Sequence, residues 1–258
     1  MNSQNKENNL KIGHINVRSL LPSFYKIKTL INDLELGILG VSESWLNNNT
    51  ADADIHIQNF NFFRIDRESR GGGIGFYVRS DLNATVMDVV ENKTGSFEQQ
   101  WLILKINKVK IGLCVFYRPP NYNALTALHQ LEDTIANVVP LTDELIIMGD
   151  ININLLRYTN VTNQFDNLLD AFNCKQVVLN PTRYSREKAS LIDVIILSDD
   201  RLLSGAVQHH DMHNHSDHQL IYCTLNIKIS ASKPKIIKYR NFKQFDINTF
   251  TQDLINLL

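Results

Sequence analysis

The chain has 258 residues, 43% of them hydrophobic, enough for a large core, and its formal net charge of -1 excludes a globally basic protein. Any attraction to nucleic acid must then come from a local patch or a bound metal. Three scattered cysteines (Cys114, Cys174, Cys223) exclude a disulfide framework and a four-thiolate zinc site, no apolar run approaches a membrane span, and the polar start MNSQNKENNL lacks a signal-peptide core, so a soluble intracellular protein is expected.

In chain order, LKIGHINV (10–17) is a short β-rich run, and Phe24, Ile27, Leu30, Ile31 and Leu34 fall at helical spacing with Pro22 near the start. LGILGVS (36–42) is a nearly continuous apolar run, the pattern of a strand covered on both faces. IGFYVRS (74–80) alternates Ile74, Phe76 and Val78 inward, behind the cluster Arg70-Gly71-Gly72-Gly73. No Lys-Ser/Thr follows those glycines and a strand comes next, so they permit a turn and close sheet packing rather than cradle a phosphate. WLILKI (101–106) and KIGLCVFY (110–117) form a hairpin through Asn107-Lys108. Leu125, Leu128, Leu131, Ile135 and Val138 make one helical stripe leading into the buried strand ELIIMG (144–149). FDNLLDAF (165–172) is a shorter helix, and LIDVIIL (191–197) and QLIYCTLNIKI (219–229) are strands. Many strands with few helices predict an α/β fold of two packed, mainly antiparallel or mixed β-sheets flanked by outer helices.

Three segments follow from this reading: a polar tail at 1–9, a globular body at 10–228, and 229–258, a basic linker and the start of an amphipathic helix. The linker holds Lys228, Lys233, Lys235, Lys238, Arg240 and Lys243 with no acid before Asp246. The helix carries Phe250, Leu254, Ile255 and Leu258 on one face, which fits either a chain that continues downstream or a helix docked on the body.

Several strands end in polar residues. Asn16, Glu43, Tyr117, Asp150, Asn152, Asp193, Asp217 and His218 all stand at or beside strand ends, where loops of a sheet-based fold converge over a rigid platform. Singly, each has an ordinary reading: a turn former, a solvated carboxylate, a half-buried phenol. Asp150 and Asn152 after so apolar a run need partners or a ligand, though an Asx turn explains them as well. As a set, these carboxylates, amides, phenol and imidazole without a thiol suit Mg²⁺ or Mn²⁺ and the demands of phosphodiester hydrolysis.

The motif order N-V-R-S (16–19), S-E-S-W-L (42–46), F-Y-R-P-P (116–120), G-D-I-N (149–152), S-L-I-D (190–193) and S-D-H-Q-L (216–220) resembles the endonuclease/exonuclease/phosphatase superfamily. More closely, it resembles the apurinic-type endonuclease domain of non-LTR (LINE-like) retrotransposons, across roughly residues 10–228. The resemblance implies Glu43 as principal metal ligand with Asn16 in or beside the first shell, and Asp217 approaching the metal or a second site. It implies Asp150 orienting and deprotonating water, with Asn152 helping to place it. His218 would donate to the phosphate with Asp193 fixing its ring, and Tyr117 would contact the phosphate or leaving oxygen. Thr182, Arg183 and Ser190 fall where the family contacts phosphate or DNA backbone.

Five of the eight histidines lie in HHDMHNHSDH (209–218). Only His218 sits in the Ser-Asp-His frame, so His209, His210, His213 and His215 are expected as loop residues on the approach. Two departures stand out: Ile151 replaces a usual aromatic, and the only tryptophans are Trp45 and Trp101, so the wedge of abasic-site repair enzymes near Asp193 is missing. The Arg183-Arg186-Lys188 loop and the basic tail are then expected to supply backbone attraction. The resemblance thus implies an Mg²⁺-dependent (or Mn²⁺-dependent) endonuclease acting on double-stranded DNA in the nucleus. It would leave a 3′-hydroxyl that primes reverse transcription, with a reverse transcriptase domain as partner in the same polyprotein. Abasic-site repair, another phosphodiesterase activity, or an inactive binding copy stay open as alternatives.

Overall fold

The computed structural model describes residues 7–67, 71–90, 96–185, 188–212, 215–230 and 246–256. Arg70, Arg186, His213, Leu258 and the basic segment 231–245, all singled out above, lie outside the described residues. In chain order the elements are β1 (Glu7–Asn16), α1 (Leu20–Asp33), β2 (Ile38–Ser42), β3 (Phe60–Ile65), β4 (Ile74–Arg79), β5 (Asn83–Met87), β6 (Glu98–Ile106) and β7 (Val109–Tyr117). There follow α2 (Ala124–Val138), β8 (Glu144–Asp150), α3 (Asn160–Ala171), β9 (Lys175–Gln176), β10 (Arg183–Ser185), β11 (Lys188–Ser190), β12 (Asp193–Leu197), β13 (Leu203–His210), β14 (Leu220–Ser230) and α4 (Ile247–Ile255). Residues 7–9, expected in the polar tail, already run in β1.

Glu7–Ile229 is one compact unit built on two six-stranded mixed sheets. One has the order β13-β14-β1-β2-β4-β3 and the other β5-β6-β7-β8-β12-β9. Each sheet has a parallel pair at its centre, β1 with β2 and β7 with β8, joined by a crossover helix. The inner faces meet through Ile12, Ile38, Phe76 and Val78 on one side and Leu102, Leu113, Ile146, Met148 and Ile195 on the other. Packing there is close: a Cβ on Gly40 of β2 would lie 2.7 Å from Met148 Sδ of β8. Outside, Phe24, Ile27, Leu30 and Ile31 of α1 cover Ile15, Leu39, Val41 and Tyr77. Leu128, Leu131 and Ile135 of α2, with Phe165 and Leu168 of α3, cover Phe116, Ile147, Val194 and Ile196. The result is the expected four-layer sandwich.

The differences in detail have local causes. β6 begins at Glu98, not Trp101, because three polar residues (Glu98, Gln99, Gln100) are themselves buried. α3 begins at Asn160 because Thr159 and Thr162 form a reciprocal capping pair ahead of the apolar stripe. Asn107 and Lys108 both have positive φ (49° and 72°), the backbone of a two-residue hairpin turn. His209 and His210 are not loop residues: they end the edge strand β13, with His209 Nδ1 3.0 Å from Gln219 Oε1.

In the second unit, α4 is capped by Asp246, which accepts from the Thr249 N–H at 2.7 Å, and it exposes Phe250, Leu254 and Ile255. No described helix is long and apolar enough to cross a membrane.

Candidate active site

Register brings the polar residues to one rim. β1 pairs Asn16 with Ser42 in parallel, and the ladder continues past the strand ends, with Val17, Ser19 and Leu20 N–H groups donating to Ser42, Glu43 and Ser44 carbonyls. These bonds fix the Glu43 loop against the start of α1. In the second sheet, Asp150 lies opposite Tyr117 on one side and Asp193 on the other. The segment 182–184 pairs with 217–219, and Gln219 N donates to Thr182 O at 2.7 Å, which delivers His218 to the same place.

Asn16 joins the two sheets. Its Nδ2 donates to Glu43 Oε1 and to Asp150 Oδ2, each at 2.9 Å, while its Oδ1 accepts from the Arg18 N–H at 3.2 Å. The Trp45 indole donates to Glu43 Oε2 at 3.1 Å. Asn152 closes on Asp150 through its backbone N–H (2.8 Å to Oδ1) and side-chain amide (3.1 Å to Oδ2). The Asx turn read from the sequence is therefore present, and the buried carboxylate belongs to the cluster as well. Arg118, buried, donates to the carbonyls of Ile151 and Asn152 at 2.6 Å each and locks this loop.

The second half of the cluster is a dyad. His218 Nδ1 is 2.8 Å from Asp193 Oδ2, and the Thr182 hydroxyl donates to the same oxygen at 2.6 Å. Thr182 corrects the sequence reading: it is fully buried and its hydroxyl is committed to Asp193, so it has no face for a DNA backbone. Ser190 is half-buried in the β10–β11 hairpin, and Arg183 is ion-paired to Asp217 at 2.8 Å. Asp217 also meets Arg18 Nη1 at 3.3 Å. Ligand-capable atoms of Asp150, Asp193 and His218 lie within 4.8 Å of one another.

Electrostatics divides the roles. Burial, reinforced by the Asp193 charge, pushes Asp150 up to about 7. Burial alone would lower His218, but the charge and hydrogen bond of Asp193 outweigh it and raise the imidazole to about 9. Burial likewise opposes ionisation of Asp193, yet His218 keeps it below the usual carboxylate range. Tyr117 is raised by burial and by the adjacent Glu43 carboxylate, so its hydroxyl stays a donor.

Four residues not assigned a catalytic or binding role from the sequence support this centre. His14 is fully buried, 3.2 Å from Ser42 Oγ through Nε2 and 3.7 Å from Asp193 Oδ1 through Nδ1, and burial lowers it to about 4. The signal was available, because His14 and Asn16 share a strand face by alternation. Glu98 is buried, accepts from Gly73 N at 2.8 Å, pairs with Arg67 at 2.8 Å, and is pushed up to about 7 chiefly by burial. Gly72 and Gly73, both at positive φ, return their carbonyls to Trp45 and Ser44 N–H. Arg18, Ser19, Glu43, Trp45 and Asn152 also hold positive φ, so left-handed backbone is concentrated at this rim.

The donor set fits a hard divalent cation. Glu43 and Asp150 converge on one amide, with oxygen donors and no thiolate. Among the neighbouring guanidinium groups, Arg67 pairs with Glu98, and Arg18 and Arg183 each pair with Asp217.

The fold has known counterparts. The endonuclease domain of TRAS1, a telomere-specific non-LTR retrotransposon, superposes with a TM-score of 0.68 at 15% identity, over 85% of this chain and 99% of that one. An AP endonuclease from Archaeoglobus fulgidus gives 0.66 at 15% identity, over 84% and 100%. The 3′ phosphatase NExo from Neisseria, bound to a product DNA hairpin, gives 0.65 at 15% identity, over 84% and 99%. No curated protein sequence matches the chain. The chain therefore shares the fold of these proteins. Residues 111–222 match the family model described as endonuclease-reverse transcriptase.

Proposed function

We propose that this chain is a divalent-cation-dependent DNA endonuclease that nicks one strand of a duplex, acting in the nucleus beside a reverse transcriptase in the same polyprotein. The observation that carries the reading is the division of one rim into an anionic pole and a proton-donating pole. Glu43 and Asp150 converge through Asn16, and the Asp193–His218 dyad stands against Asp150.

Glu43 would hold the cation, with Asn16 beside it orienting both carboxylates. Asp193 is a poorer ligand because its Oδ2 already accepts from Thr182 and His218. Bound there, Mg²⁺ or Mn²⁺ would supply Lewis-acid charge toward a phosphate oxygen. Asp150 orients a water and takes its proton, helped by Asn152. His218, protonated and held by Asp193, donates to a non-bridging phosphate oxygen, and the Tyr117 hydroxyl donates to the phosphate or the leaving oxygen. Leaving a 3′-hydroxyl suits a nick that primes reverse transcription.

The test is nicking of supercoiled plasmid with Mg²⁺. Wild type is expected to nick, and Asp150→Ala and His218→Ala to lose activity while keeping the far-UV circular dichroism of the fold. Wild-type protein inert with both Mg²⁺ and Mn²⁺ would overturn the reading. Abasic-site cleavage, favoured by the likeness to an AP endonuclease, is the second reading. A preference for abasic over intact duplex by orders of magnitude would establish it instead.

A further inference from the structure

Asp217 stands next to His218, where a further carboxylate invites assignment as a cation ligand, yet both of its oxygens are already engaged. Oδ2 accepts from Arg183 Nε at 2.8 Å and Oδ1 from Arg18 Nη1 at 3.3 Å. Coordination of a cation there would require breaking two ion pairs. Arg18 is anchored at its other end as well, since its backbone N–H donates to Asn16 Oδ1 from a left-handed conformation (φ 45°). Its side chain is nevertheless half exposed, and it lines a cavity of about 760 Å³ with Trp45, Tyr184, Asp211, His215 and Asp217. A guanidinium has five N–H donors, and one bond to Asp217 leaves others for a ligand in that space.

We propose that this cavity is a subsite for one nucleotide beside the cleaved bond, in which Arg18 contacts a backbone phosphate and Asp217 is the positioning residue that aims it. The proposal rests on the nuclease reading above. The volume falls within the range of pockets that take a nucleotide-sized ligand. Trp45 and the half-exposed Tyr184 line the cavity and offer ring faces to a base. Asp211 lines it too, so recognition depends on the directed donors of Arg18 rather than on net charge, and bidentate phosphate geometry is what arginine provides and lysine does not. Asp217 then tunes the arm and leaves the cation to Glu43.

Two measurements on the full chain test this. Mn²⁺ binding, followed by electron paramagnetic resonance of the free ion, is expected to weaken by about tenfold or more in Glu43→Gln and to stay within about twofold of wild type in Asp217→Asn. Affinity for a short duplex, measured in EDTA across a salt series, is expected to lose about one unit of salt slope in Arg18→Gln. Arg18→Lys should keep the slope while binding more weakly, as a point charge replacing a fork. Loss of Mn²⁺ affinity in Asp217→Asn comparable to that in Glu43→Gln would make Asp217 a cation ligand and overturn the proposal. An unchanged salt slope in Arg18→Gln, at wild-type thermal stability, would overturn it equally. Failure of the nuclease reading is a separate result, seen as absence of both duplex binding and nicking in wild type.

Discussion

Asp193 offers one carboxylate oxygen to His218, 2.8 Å away, inside a shell where both residues are buried. A buried pair of this kind keeps the ring protonated and fixes which N–H faces away from Asp193. Asp193→Asn is expected to preserve the fold but remove the charge that keeps the imidazole protonated and aimed, lowering the nicking rate by about 10³-fold or more with little change in duplex affinity. Single-turnover nicking beside a binding titration checks this. Thr182→Val should be milder, losing about 1–3 kcal/mol of charge-assisted hydrogen bonding, visible as a lower midpoint in urea.

Under the proposed mechanism, Asp150 and His218 set the pH dependence of nicking. Asp150 must be ionised and it titrates at about 7; His218 must be protonated and it titrates at about 9. The rate should therefore rise through about 7 and fall through about 9, and added divalent cation should pull the acid limb downward. A pH–rate profile at two Mg²⁺ concentrations measures both limbs. A rate that keeps rising beyond the upper limb would contradict a protonated His218.

His14 makes an opposite demand on stability. Its folded pKa, about 4, lies below its ordinary value of 6.5, so its contribution is fully present above 6.5 and is lost as pH falls toward 4. The size is on the order of 3 kcal/mol for a fully buried group. His218 works the other way: raised to about 9, it contributes fully below 6.5 and less as pH climbs through 9. In urea unfolding at pH 7.5 and 5, His14→Phe should gain stability relative to wild type at the lower pH, because it lacks the loss carried by the buried imidazole.

Gly73 holds φ at 82°, and a Cβ there would meet Ser44 Oγ at 2.5 Å. Gly73→Ala is expected to destabilise the chain by about 1–3 kcal/mol and to displace the loop that carries Glu43. Differential scanning calorimetry should show the lower midpoint, and weaker Mn²⁺ binding should accompany it. Gly71→Ala, with nothing near its Cβ, should lose stability from backbone conformation alone and leave Mn²⁺ binding intact.

The two-sheet plan and most site positions were legible because apolar alternation ends in a polar residue at each strand terminus, as in ILGVSE and LIIMGDIN. The short strands β3, β5, β9, β10, β11 and β13 were not, since edge strands lack a clean inward face: β5 is mostly exposed and β13 carries only half-buried and exposed residues. Roles that depend on tertiary pairing were hidden too. Thr182 reads as a surface hydroxyl until the 182–184 and 217–219 segments pair, and Asp217 reads as a cation ligand until two arginines from different segments are seen around it. Glu98 lay in a polar run, EQQ, that gives no hint of burial.

Glu43 is carried by one sheet and Asp150, Asp193 and Tyr117 by the other, so the reactive rim is a seam rather than a pocket in a single layer. The spacing across that seam is supported just beneath it, where Gly40 lets β2 settle onto Met148. Alignment of the two halves is thus a property of the interior spacing. Volume changes at that buried contact should detune the chemistry without touching any residue that performs it.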